Sequence, residues 1–429
     1  MMVAMALKRI STSQVQPGMY IHGFQGNWLS HPFWRAHFIV GDDERLQTLR
    51  NSRIDAVIID TERGVDVTER EVPRHAATAQ RSPLARRAPR VAAARPPSQP
   101  NASAAFRSGP TPLTREFGNA RRTADKARKV ISEIFLEARH GKAPRVIEVA
   151  PVVEDIYASI QRNPYAFSGL MRCKAESEFI YQHMLSVSAL MISLARQMRM
   201  SPNDARLAGT AGLLLDVGVS RIGVSLDAVG GRIDRIAPET WQGHASIGHD
   251  LLAADGEVPE EVRRVVIRHH ERLDGTGFPQ GLKDAEIDIF SRMAAICDTY
   301  DHMVSGALGE GSLDPAQALK ELQRTTAFDA EIVARFVEAL GVYPIGSFVQ
   351  LRSERIAMVV DQNPSEPAVP TVRAFYSLPK NRRVAEKTIV LSNCYGEDGI
   401  IGVADLDGLD LPPIEELREQ LLTGKSGAA

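Results

Sequence analysis

Three hydrophobic patterns follow one another along the chain. Residues 1–71 carry short runs rich in β-branched and aromatic residues, GMYIHGF, AHFIV and AVIID, which predict strands. Between the last two, DDERLQTLRNSR predicts a short helix with Asp42 or Asp43 as its N-cap. From about residue 116 to 340 the apolar positions recur at helical spacing instead. TADKARKVISEIFLEARHG, for instance, carries apolar Val130, Ile134 and Phe135 and ends at a glycine suited to a C-cap. After Gly346 short strand-like runs return, SFVQLRS, IAMVVDQ, TVRAFYS, KTIVLS and GIIGVAD, separated by Pro, Asn and Gly. PPIEELREQLL closes the chain as a helix with proline at its start, where a missing N–H costs nothing.

Between the first two patterns periodicity disappears. Val72 to Arg115 holds no Asp or Glu but many Pro and Arg residues, and few large apolar side chains to offset ordering entropy. It is expected to be a disordered basic linker, with binding of an acidic partner, RNA or an anionic membrane as the alternative. The expected fold is therefore mainly α, in four parts. A small N-terminal α+β domain (1–71) precedes the linker (72–115). A helical bundle (116–345) and a small β-rich C-terminal segment with a final helix (346–429) follow. No internal repeat is evident.

Composition narrows the function classes. With 44% hydrophobic and 24% charged residues the chain can bury a core without disulfides or a structural metal. A net charge of −2 excludes a uniformly basic nucleic-acid binder and a strongly acidic tail. Cys173, Cys297 and Cys394 form no disulfide framework and no zinc cage, and fit a reducing compartment. MMVAMAL is too short for a signal-peptide core, and no run approaches the roughly 18 apolar residues of a membrane span, so the expected location is cytoplasmic. Trp28, Pro32, Phe33 and Trp34 are expected to be a core cluster rather than a ligand platform.

Candidate chemistry lies in the helical region. His183 shares a helical face with Val187 and Leu190, Asp216 sits in the apolar run AGLLLDVG, and His244 lies in QGHASIGHDLL. His269 and His270 end EEVRRVVIRHH, and Asp298 lies in RMAAICDTYDHMV. Successive gaps of roughly 25 to 33 residues match one helix plus one connection, so a bundle could return one ligand each time to the same level. Imidazole with carboxylate suits Zn, Fe, Mn or Ni. A carboxylate such as Asp216 can bridge two ions, which generate hydroxide and clamp an in-line displacement at phosphorus. Taken singly, each of these residues is more readily a core or capping group; His249 and His302 do not fit the spacing and are left as surface or core residues.

The segment after the histidine pair is dense with Gly and Pro, which impose a tight loop where two imidazoles and a carboxylate leave a helix. HHERLDGTGFP resembles the HHExxDGxGYP signature of the HD-GYP domains, a branch of the HD metal-dependent phosphohydrolases. The resemblance spans roughly residues 145–345 and extends to YPIGSFVQL; PGMYIHGF, WLSHPF and VIIDTERG resemble a domain of unknown function common ahead of HD-GYP domains. It implies an all-α bundle with a metal centre that hydrolyses cyclic di-GMP to pGpG or GMP. His183, Asp216, His244, His269, His270 and Asp298 would be ligands of iron or manganese, with Asp216 bridging. Glu271, Asp274, Gly275, Gly277, Phe278 and Pro279 would form the signature loop, shaping the pocket and a partner surface.

Several positions depart from the pattern. The family dyad LLHDIGK reads LLLDVGV here, so Leu215 replaces a ligating His and Val219 a phosphate-contacting Lys. No Lys or Arg occurs between Arg292 and Lys320, where the family has an RPYR-like segment; Arg221 and Arg268 are candidate substitutes. Phe278 replaces a Tyr, and Phe179 stands where some members have a Glu that holds a third metal. Two function classes follow. One is a cyclic di-GMP phosphodiesterase with one or two ions. The other is a degenerate regulator, with a structural ion or none, that binds nucleotide or a partner such as a GGDEF-type protein. Activity on another phosphoester is a third possibility. A homodimer is expected as a candidate assembly, with no membrane span and no specific nucleic-acid partner.

Overall fold

A computed structural model describes residues 7–25, 38–41, 56–61, 63–65, 111–142, 144–173, 179–254, 257–309, 311–394 and 397–424. The Trp28–Trp34 cluster, the helix expected over 42–53 and the linker up to residue 110 lie outside the described residues. The chain divides into two compact units, Met1–Ser98 and Gln99–Ala429.

In the first unit β1 (Leu7–Ser11), β2 (Tyr20–Gln25), β3 (Phe38–Ile39) and β4 (Ala56–Asp60) form an antiparallel sheet in the order β1-β4-β2-β3. The last three are the expected strands. β1 was hidden because LKRIS carries a basic pair, a composition that suits the sheet edge it occupies. Ile10, Ile21, Val57 and Ile59 pack with Val15, Met19 and Val40 as the core of this unit.

The second unit opens with α1 (Leu113–Arg139), whose N-cap is Pro112, so residues 113–115 belong to a helix and not to the linker. There follow α2 (Val146–Arg162), α3 (Ala166–Met171), α4 (Phe179–Gln197), α5 (Pro202–Leu214), α6 (Pro238–Ala253) and α7 (Glu260–Arg268). α8 (Ile289–Ser305), α9 (Pro315–Arg324) and α10 (Ala330–Leu340) complete the bundle. Side-chain caps fix several starts: Ser201, Asp288, Asp314 and Asp329 each accept a backbone N–H of the first turn of α5, α8, α9 and α10.

α4 is buried continuously from His183 to Ala195 and packs on α5 and α8. Glycines set these distances. A Cβ at Gly212 would lie 2.9 Å from the Ser188 backbone, so α4 and α5 approach closely, and Ser188 Oγ donates to the Gly209 carbonyl at 2.8 Å. After α5 the chain makes a 3-10 turn, Val217–Arg221, against α6; a Cβ at Gly218 would lie 2.0 Å from the His244 carbonyl oxygen. Asp216 is thereby held between α4 and α6.

The final sheet has the order β8-β7-β6-β5-β9, all antiparallel, with β5 (Phe348–Leu351), β6 (Arg355–Asp361), β7 (Thr371–Ser377), β8 (Arg382–Val390) and β9 (Ile400–Val403). The last helix, α11 (Ile414–Thr423), packs against β6. Expected as a segment of its own, 346–429 falls in the same compact unit as the helices. Phe348 N donates to Asp314 Oδ2 at 2.9 Å, and Arg121 pairs with Glu419 across α1 and α11. Among the described residues no helix is long and apolar enough to cross a membrane.

Candidate metal centre

Seven buried side chains converge in the bundle. α4 supplies His183, the turn after α5 Asp216, α6 His244, the end of α7 His269 and His270, and α8 both Asp298 and His302. Their ligand atoms form two groups, each within 4.8 Å: His244, His269 and His270; and His183, Asp216, Asp298 and His302. All six expected ligands are therefore brought together. His302 is an addition the spacing argument set aside, although four residues after Asp298 is one helical turn on the same face.

Asp216 faces both groups. Its Oδ1 is 3.2 Å from His244 Nε2 and 3.7 Å from His269 Nε2, while its Oδ2 is 3.4 Å from His183 Nε2. Asp298 repeats the arrangement: Oδ1 is 3.1 Å from His183 Nε2 and 3.5 Å from His302 Nδ1, and Oδ2 is 3.7 Å from His270 Nδ1. Two donors about 2.0–2.2 Å from one ion stand roughly 3–3.5 Å apart, close to these separations.

The hydrogen bonds turn lone pairs inward. His244 Nδ1 donates to the Trp241 carbonyl at 2.5 Å and His269 Nδ1 to the Val266 carbonyl at 2.8 Å. In neutral rings the two Nε2 atoms are then both acceptors, yet they face each other at 3.2 Å. His183 Nδ1 donates to Asp301 Oδ2 at 2.9 Å, leaving its Nε2 toward two carboxylates. Both oxygens of Asp216 and Nε2 of His270 are buried with no hydrogen-bond partner, a costly state that a cation relieves. Imidazole and carboxylate donors without thiolate suit a divalent transition metal. The residues fit such a pair of ions.

Electrostatics divide the imidazoles. Burial pushes His269 down to about 4 and, with the His269 ring beside it, His270 well below the usual imidazole value, so both stay in the neutral, ligating form. His183 is the opposite case: against the same burial, the Asp298 and Asp301 carboxylates hold it well above that value, so without a cation its ring keeps both protons, and a metal would take the place of the one on Nε2. Asp301 is itself gripped by Arg172 Nη2 and Ser186 Oγ, each at 2.5 Å. Such an outer carboxylate orients a ligating ring; the sequence reading singled out neither Asp301 nor Arg172.

The signature loop supports the site without joining it. Glu271, 1% exposed, belongs to neither ligand group; its carboxylate accepts the N–H of Gln280 at 2.7 Å and of Leu282 at 2.9 Å. Asp274 Oδ1 accepts the Thr276 N–H at 3.0 Å, Gly275 takes φ +78°, and a Cβ at Gly277 would lie 2.5 Å from the His270 carbonyl. Phe278 lays its ring on His270 at 4.5 Å, and Pro279 follows through a cis bond.

Leu215 and Val219 are buried and contribute no donor. His249 sits beside Asp250, away from both groups. Neither Arg221 nor Arg268, which pairs with Asp288 at 3.7 Å, lines the cleft above His183, Asp216 and His302. That cleft, about 570 Å³, is walled instead by Arg172, Arg232, Arg235 and Arg418 together with Phe179 and Trp241.

The profile of a domain of unknown function (DUF3391) matches residues 7–149, and that of the HD domain matches residues 169–332. A cyclic di-GMP phosphodiesterase of Pseudomonas aeruginosa is 31% identical over 417 residues, covering 96% of this chain and 95% of that one. A 3'3'-cGAMP-specific phosphodiesterase of Vibrio cholerae is 30% identical over 175 residues, which cover 40% of this chain and 37% of that protein. Among solved structures, a HDG"Y"P protein from Bdellovibrio bacteriovorus covers 77% of this chain and 98% of that one, at 17% identity and a TM-score of 0.44.

Proposed function

The chain belongs to the HD-domain family, in its HD-GYP branch, and from that premise we propose that it is a metal-dependent phosphodiesterase hydrolysing cyclic di-GMP to pGpG or GMP. The observation that carries this reading is Asp216, a carboxylate 1% exposed whose Oδ1 faces His244 and His269 and whose Oδ2 faces His183. A bridge between two ions needs that geometry. His244, His269 and His270 would hold one ion, and His183, Asp298 and His302 the other. Bound there, iron or manganese supplies Lewis acidity and lowers the pKa of water.

The chain's own residues orient and exclude. Asp301 and the carbonyls of Trp241 and Val266 hold three imidazoles in the ligating tautomer. Arg172 and Arg232 are paired with Asp301 and Asp234, so Arg235 and Arg418 are the cleft cations open to a dianionic diester, and Phe179 and Trp241 offer aromatic surface to its bases. A cleft of about 570 Å³ lies within the usual range for small-ligand sites. The named activities of the relatives, on cyclic di-GMP and on 3'3'-cGAMP, support a cyclic dinucleotide as the substrate.

Leu215 and Val219 favour a second reading, a regulator that binds the nucleotide or a GGDEF-type partner without hydrolysis, because valine offers a phosphate no charge. Cyclic di-GMP turnover by protein purified anaerobically and supplied with Fe(II) or Mn(II) decides between them. Turnover abolished by Asp216→Ala is the expected result. Binding without turnover, converted to turnover by Leu215→His with Val219→Lys, would establish the regulator.

A further inference from the structure

With Leu215 in the dyad, the group around His183 should be one imidazole short. It is not, because His302 stands in it. We infer that His302 is a relocated metal ligand that replaces the donor lost at Leu215, an inference that rests on the metal-dependent reading above. Helix α8 makes this substitution possible. It carries Asp298 and, one turn later on the same face, His302. His302 Nδ1 lies 3.5 Å from the Asp298 oxygen that is itself 3.1 Å from His183 Nε2. Its ring is parallel to that of His183, at 4.3 Å and 3°, and the residue is 6% exposed. The donor set becomes two imidazoles and two carboxylates, the same kind of set that a histidine at 215 would have completed from α5.

Metal stoichiometry tests this without reference to turnover. Full-length protein is loaded with Mn(II), freed of excess, and its ions counted by elemental analysis beside His302→Gln, which keeps the side chain's polarity, and the double variant Leu215→His/His302→Gln. Two ions in the wild type, about one in His302→Gln with at least 10-fold weaker affinity at the second site, and two in the double variant are expected. Melting in chelator checks the fold, because loss of a ligand alone leaves the metal-free proteins equally stable. Two tightly held ions in His302→Gln would overturn the assignment, as would fewer than two in the wild type. Two ions without turnover would instead count against the phosphodiesterase reading and leave the ligand in place.

A separate observation concerns the cleft wall. Arg418 of α11 is 7% exposed; its Nε donates to the Gly346 carbonyl at 3.2 Å, and its guanidinium lies 5.3 Å from the Phe348 ring centroid. Its two terminal nitrogens have no hydrogen-bond or ion-pair partner among the described residues, and it lines the cleft. Asp314 is near enough to influence it, but the Asp314 oxygens already accept from Phe348 and Ala316. Arg172, its neighbour in the wall, is already neutralised by Asp301. Burial and that second guanidinium outweigh Asp314 and Glu415, the latter a carboxylate of α11 that also lines the cleft, and pull the Arg418 pKa down. A nearly buried guanidinium with two unpartnered nitrogens facing a cleft is a seat for an anion. The geometry points to Arg418 as the side chain that holds a phosphate of the cleft's ligand, in place of the cations absent at Val219 and after Arg292.

Calorimetric binding of cyclic di-GMP and of inorganic pyrophosphate to wild type, Arg418→Gln and Arg418→Lys tests it. Arg418→Gln should weaken binding about 10- to 100-fold, with Arg418→Lys at least fivefold tighter than Gln because the charge remains. Equal affinities for Lys and Gln would overturn the subsite and reduce Arg418 to a tether of α11, even if both variants melt lower. Pyrophosphate bound in an Arg418-dependent way, with no cyclic di-GMP bound, keeps the subsite and rejects the proposed substrate. A wild type that binds neither rejects both.

Discussion

A methyl group at Gly218 would lie 2.0 Å from the His244 carbonyl oxygen and 2.6 Å from Gly248 N, and these are backbone atoms that cannot step aside singly. Gly218→Ala should therefore push α6 away from the turn that carries Asp216. The expected result is a loss of roughly 1–3 kcal/mol of stability, as for other overpacked sites, together with loss of bound metal. Gly118 is the opposite case: exposed on α1 with nothing within 4 Å of a Cβ. Gly118→Ala should stabilise the protein by about 1 kcal/mol through helix propensity alone. Denaturant unfolding of both variants, with metal analysis of the first, checks the pair. Residue by residue, the site was partly legible. The six candidate ligands announced themselves because each, the adjacent His269 and His270 counted together, lies one helix and one connection from the next. His302 breaks that rhythm by sharing α8 with Asp298, so only its position one turn on could have revealed it. Asp301, Arg172 and Arg418 carry no spacing signal, since their partners lie 118, 129 and 72 residues away in sequence.

At the scale of elements, the long helices were readable from periodicity and caps, whereas their docking was not. The junction of α1 and α2 illustrates the difference. Glu116 is fully buried and accepts from Arg162 Nε and Nη2 at 2.9 and 2.8 Å, Ser159 Oγ at 2.9 Å and Asn119 Nδ2 at 2.9 Å. The Arg162 side chain is 43% exposed, so the two ends of the pair are unequal. Removing Glu116 lets the guanidinium turn to water; removing Arg162 strands a buried carboxylate. Arg162→Met should cost about 3 kcal/mol, near the range for breaking a buried pair, and Glu116→Gln about 1 kcal/mol. Although burial opposes it, the Arg162, Asn119 and Ser159 hydrogen bonds hold the Glu116 carboxyl below its usual range. A depressed folded-state pKa contributes stability in full above the unfolded value, near 4.3, and loses it as pH falls through the folded one. Glu116→Gln should accordingly flatten the acid limb of the stability curve below about pH 5, read from denaturant midpoints across pH.

At the scale of the whole molecule, the candidate metal centre concentrates buried polar groups in one unit. Seven candidate ligand side chains and Asp301 are buried together, all of them in Gln99–Ala429. Without ions, Asp216 keeps two unpartnered oxygens, and His244 and His269 keep opposed lone pairs. A cation bound only in the folded state stabilises by about 2.7 kcal/mol at a hundred times its Kd. The first unit has its own core, from Ile10 to Ile59, and none of these ligands. Calorimetry with and without chelator should consequently resolve a metal-sensitive transition, lowered by several degrees on chelation, and another that does not move. Leu215→His should widen the gap by adding a donor beside Asp216. A chelator shift confined to the transition of the first unit, or absent altogether, would mean that the buried carboxylates and imidazoles satisfy one another through protons rather than through metal.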